Sequence, residues 1–106
     1  MRLLTRMARS FVAGDTNAEA IQAVAELRRK GIMSTMDVLG ESVKDRNTAE
    51  KAVAAYLELL DVINAAGSDA HISLKLTQQG LDIDTEYCYQ NVRMIVAKAK
   101  SLGNSV

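Results

Sequence analysis

Lys75 lies in the run AHISLKLT at residues 70–77, where apolar and polar side chains alternate strictly. Alternation with period two marks a half-buried strand. It sets Ile72, Leu74 and Leu76 on one face and Ser73, Lys75 and Thr77 on the other. An ammonium at such a position is suited to neutralising a carboxylate, of the protein or of a ligand. A second apolar run, IMSTMDVL at residues 32–39, is bounded by Gly31 and Gly40 and also reads as a strand. It sets Met36 and Val38 on one face and Thr35 and Asp37 on the other. Glu41 follows at the head of the next loop. Helices take the apolar faces, so Asp37 and Lys75 are expected to point away from them, near the C-terminal ends of their strands. In parallel barrels that end carries the active site.

A buried unpaired charge is costly, so both residues need partners, and on adjacent strands each is one candidate partner for the other. From the residues alone this is either an ion pair that plugs an interior or part of a ligand site. Glu41 alone reads as a solvated loop residue. His71 begins its strand, on the stabilising side of a barrel, and reads as structural. Cys88 has no base near it in sequence and reads as a buried, inert thiol. Asp82 and Asp84 lack the further ligands of a calcium loop. Phosphate-binding glycine motifs, nucleophile elbows and paired Cys/His metal spacings are absent.

The elements around these residues follow from punctuation. Thr16 or Asn17 caps a helix whose Ala20, Ile21, Val24, Ala25 and Leu27 recur at helical spacing, with Arg28, Arg29 and Lys30 at its basic end and Gly31 stopping it. A polar loop at 40–47 leads to a helix beginning at Thr48, with Val53, Tyr56, Leu57, Leu60 and Ile63 on one face and Gly67 at its end. Asp84 caps a last helix with Val92, Ile95, Val96, Ala99 and Leu102 inward and Gly103 closing it. Strand, helix, strand implies parallel strands joined by a crossover. Two parallel strands are too few for an independent sheet, and a third is expected after Gly103.

The 106 residues make one domain or less. Thirteen basic residues balance thirteen acidic ones, and the only aromatics are Phe11, Tyr56, Tyr87 and Tyr89. Neither nucleic acid nor an anionic membrane is therefore indicated as a partner. Proline is absent, which favours uninterrupted helices. A single cysteine forms no intrachain disulfide and suits a reducing compartment. No apolar run is long enough to span a bilayer. Arg2, Arg6 and Arg9, with Leu3, Leu4 and Met7, suit an amphipathic helix rather than a signal peptide.

Residues 11–15 (FVAGD), 35–41 (TMDVLGE) and 72–82 (ISLKLTQQGLD) resemble, in order and spacing, the opening of the bacterial proline dehydrogenase family. The resemblance runs from about Phe11 to Gly103, and the third segment is its most specific part. It implies a distorted (β/α)8 barrel in which FAD takes hydride from L-proline, yielding pyrroline-5-carboxylate, and electrons pass to a membrane quinone. By this resemblance Lys75 neutralises the substrate carboxylate, and Glu41 closes the site by pairing with a substrate-binding arginine. Asp37 joins the substrate-binding set as part of the same motif, without an assigned contact. Residues 1–106 are then expected to be one incomplete domain: the N-terminal part of an α/β barrel, two parallel strands with flanking helices and the remainder absent. The family's third-strand aspartate, its flavin-contacting strands and its late paired arginines find no match; Arg28 and Arg29 precede the first strand. FAD binding and catalysis are expected of the complete enzyme rather than of this chain, in the cytoplasm or at the inner membrane's surface. The alternative is a non-catalytic module that self-associates or docks through exposed strand edges.

Overall fold

In the computed structural model, residues 16–106 are described. The FVAGD segment, the turn at Gly14 and the N-terminal arginines lie outside them. The order is α1 (Asn17–Arg29), β1 (Thr35–Met36), α2 (Arg46–Ala65), β2 (His71–Ile72), a 3-10 turn (Leu76–Gln78) and α3 (Thr85–Ser101). This is a small α/β unit of three helices and two parallel strands.

Each helix begins where a short polar side chain captures an orphan amide. Thr16 Oγ1 accepts from Glu19 N at 3.2 Å, Asp45 from Thr48 N at 2.9 Å, and Asp84 from Tyr87 N at 2.8 Å. The second helix thus starts at Arg46, ahead of the expected Thr48, because Asp45 is its cap. Gly31, Gly67 and Gly103 follow the three helix ends with φ of +79°, +63° and +70°, the left-handed geometry that terminates helices.

The strands pair in parallel, Thr35 opposite His71 and Met36 opposite Ile72. His71 N donates to Ser34 O and Ser73 N to Met36 O. The regular ladder is two residues long, shorter than the runs 32–39 and 70–77. Ladder pairing ends at Ser73 because Leu76 enters the 3-10 turn. On the second edge of β2, Ile72 N donates to Ser105 O at 3.4 Å, so the chain after Gly103 runs where a third strand was expected.

The core lies between the sheet and α2, which packs against both other helices. Tyr56, Leu60, Ile63, Ile72 and Ile95 are fully buried. Each large apolar side chain withdrawn from water contributes about 1.5–3 kcal/mol. The expected inward faces hold for Met36, Ile72, Val53, Tyr56, Leu60, Ile63, Ile95 and Ala99. Some positions differ. Leu27, Leu76 and Val96 are exposed, and Leu59 is buried instead. Leu76 leaves the apolar face because its backbone has already begun to turn.

Candidate functional site

Beyond the two strands the chain makes two facing loops. The first, after β1, carries Gly40, Glu41 and Ser42. The second is Lys75 and the 3-10 turn after it. Gly40 has φ +142° and Ser42 has φ +55°, so Glu41 sits between two residues with positive φ. For serine the left-handed region is strained, and such strain gathers where geometry serves a site. The loop is held by its neighbour: Ser42 N donates to Thr77 Oγ1 at 3.1 Å, and Val43 N to Thr77 O at 3.0 Å. Gln78 Nε2 donates to Val38 O at 3.1 Å and Leu39 O at 3.3 Å.

These bonds bring Lys75 Nζ to 3.2 Å from Glu41 Oε2. The side chains are 59% and 65% exposed, so both charges remain available to a third group. Lys75 was expected to be enclosed, with Asp37 one candidate for its partner. It is neither enclosed nor paired with Asp37: the face opposite the helices is open, and the loop carboxylate, further along the chain, is what reaches the ammonium. Asp37 is exposed on the same face as Thr35, as the alternation predicts.

Under this face, Tyr56 ties the strands together from α2. Its hydroxyl accepts from Val38 N at 3.1 Å and donates to Ser73 O at 2.9 Å. Burial pushes the Tyr56 phenol above its ordinary value, a hydrogen bond from Val38 opposes this, and the Asp37 charge adds to the rise. Sequence reasoning placed Tyr56 in the core on spacing, but spacing does not show where its hydroxyl goes. Gln78 and Gln79 were read as loop and are buried.

The remaining candidates take other roles. His71 Nδ1 lies 2.9 Å from both Asn104 Oδ1 and Ser105 Oγ, away from Lys75. Cys88 is buried, its Sγ 3.4 Å from Leu76 O, and burial raises its pKa, which disfavours the reactive thiolate. Asp82 pairs with Lys44 at 3.0 Å, and Asp84 caps α3. Among the described residues no group of three or more His, Cys, Asp or Glu is arranged to hold a metal. No helix among them is long and apolar enough to cross a membrane.

Among the described residues, cavities of about 420 Å³ beside Val24, Arg28 and Asp69 and of about 180 Å³ beside Met33, His71 and Asn104 are found. Both lie toward the start of the strands, away from Lys75 and Glu41.

No protein-family model matches the chain. It is 37% identical over 93 residues to proline dehydrogenase 1 of Bacillus subtilis subsp. natto, covering 88% of this chain and 31% of that protein. It is 36% identical over 103 residues to proline dehydrogenase of Deinococcus radiodurans, covering 94% of this chain and 33% of that protein. Proline dehydrogenase 2 of Bacillus subtilis strain 168 is 28% identical over 106 residues. The chain thus spans about a third of the length of the relatives it matches. Over that third of their length the chain is similar to the proline dehydrogenases.

Proposed function

We propose that this chain contributes the carboxylate-binding side of a proline-oxidising site. The observation that carries the reading is the Lys75–Glu41 pair, exposed at the C-terminal ends of two parallel strands and held by strained, cross-bonded loops. Lys75 neutralises the carboxylate of L-proline. Glu41 occupies the ammonium while the site is empty and is released to a substrate-binding arginine when proline enters. Asp37, on the same face, belongs to the polar lining of the site.

L-proline loses a hydride from its ring carbon and a proton from its nitrogen, forming the C=N bond of pyrroline-5-carboxylate. In the complete enzyme FAD is the hydride acceptor and a quinone the next carrier. In this reading residues 1–106 are the N-terminal segment of a (β/α)8 barrel; their part is to bind and gate the carboxylate, and the flavin is held by the rest of the barrel. The test is proline-dependent reduction of an artificial electron acceptor by flavin-loaded protein carrying this segment. Turnover that L-proline supports and D-proline does not is the expected result. Flavin-loaded protein without proline-dependent turnover would overturn the reading.

A further inference from the structure

We propose that Gln78 is a positioning residue for the Lys75–Glu41 pair: its buried amide clamps the Val38 and Leu39 carbonyls and so fixes where the Gly40 turn delivers the Glu41 carboxylate. The inference rests on the reading that this pair lines a binding site.

Gln78 is 3% exposed, unlike Lys75 just before it on the same turn. Its Nε2 meets two carbonyls at once, at 3.1 and 3.3 Å. Both partners are carbonyl oxygens, which only accept, and this assigns the nitrogen end of the amide to this position. The fit is close. A Cβ on Gly40 would lie 2.9 Å from Nε2, and the φ of +142° there also excludes a side chain. Glycine at 40 and glutamine at 78 are thus two halves of one device. Gln78 Oε1 is buried with no partner. The nitrogen end of the amide is therefore what the loop uses. Thr77, next along the turn, receives Ser42 N and Val43 N. Glu41 therefore lies between the clamped carbonyls and these two amides, and its reach toward Lys75 follows from both.

Backbone hydrogen exchange of the ligand-free chain tests this, with Ser42 and Val43 as reporters and Leu60 and Ile63 as core controls. Gln78→Met keeps the length of the side chain and removes both donated hydrogens. It is expected to speed exchange at Ser42 and Val43 by ~10-fold or more, the loss of about one buried hydrogen bond, with the controls unchanged. Gln78→Leu likewise lacks the donated hydrogens and is expected to do the same; it carries the test if Gln78→Met fails to fold. Lys75→Met removes the ion pair and leaves the clamp, so protection at Ser42 and Val43 should persist. Unchanged reporters in Gln78→Met or Gln78→Leu would overturn the proposal. So would equal acceleration of reporters and controls in Gln78→Met, or release of the reporters by Lys75→Met. Because no proline is present, the result stands apart from L-proline titration of the same chain, which tests the site reading separately.

Discussion

Lys75 and Glu41 stand 34 residues apart in sequence and 3.2 Å apart in space. Exposed pairs of this kind contribute about 0–1 kcal/mol to folding. The pair therefore adds little to the stability of the fold. Lys75→Met is expected to leave the melting temperature nearly unchanged. In a proline-oxidising protein carrying this segment it should raise the apparent KM for proline, with flavin content intact. A charged hydrogen bond is worth about 1.5–3 kcal/mol, a loss of roughly 10- to 150-fold in kcat/KM. Steady-state kinetics with wild-type kcat/KM for proline would show that the ammonium serves only its protein partner.

Tyr56 joins both strands through one oxygen, so Tyr56→Phe strands the amide of Val38 and removes a donor from Ser73. A cost of about 1–3 kcal/mol is expected, read as a lower midpoint in urea unfolding. The pH dependence follows from the raised phenol pKa. The folded state holds the proton more tightly than the unfolded chain does. The stabilisation is therefore complete below the ordinary value of 10.0 and lost as pH rises above it. Cys88 acts in the same direction from its ordinary value of 9.0. Tyr56→Phe should flatten the alkaline slope, leaving the part due to Cys88; an unchanged slope would contradict this account.

Much of the architecture was legible because it depends on local chemistry. Thr16 and Asp84 cap helices by reaching amides three residues on, and capping residues of that kind are visible in a sequence, whereas Asp45, read as loop, caps its helix in the same way. The parallel pairing of β1 and β2 followed from their spacing around α2. The strand ends were less legible. The alternation of Ile72, Leu74 and Leu76 continues in the letters after the backbone has turned at Leu76. The partner of Lys75 was missed for a related reason. Alternation assigns faces of strands, whereas Glu41 belongs to a loop whose path depends on contacts with Thr77 and Gln78. A buried glutamine in a polar stretch such as TQQG gives no periodic signal.

The caps make a prediction of their own. Asp45 accepts from both the amide and the hydroxyl of Thr48, and these bonds, backbone first, hold its carboxyl below the ordinary 3.8. The stabilisation is present above that value and lost as pH falls below it. Asp45→Ala should lower thermal stability at neutral pH and weaken the acid-side dependence. Asp84→Ala removes the α3 cap and is expected to cost about 0.5–2 kcal/mol. Circular dichroism melts from pH 2 to 7 check both, and an acid slope identical to wild type in Asp45→Ala would be inconsistent with its role.

The open side of the sheet leads to the last prediction. Leu39 is 74% exposed and Met33 60%, at opposite ends of the β1 segment, and Ile32 is exposed beside them. Among the described residues β1 pairs with β2 alone, leaving its other edge without a strand. Open strand edges bordered by apolar side chains favour pairing with another chain. The isolated chain is therefore expected to self-associate as concentration rises from the micromolar to the millimolar range. Light scattering should show a rising mean mass. Leu39→Lys combined with Met33→Lys places two charges beside that edge and should shift association to higher concentration without lowering helix content. Lys75→Met, on the open face but not on this edge, should leave the association unchanged. A sharp monomer across the whole range, with cooperative melting, would mean that the edge is protected by its own side chains and that the unit is self-sufficient.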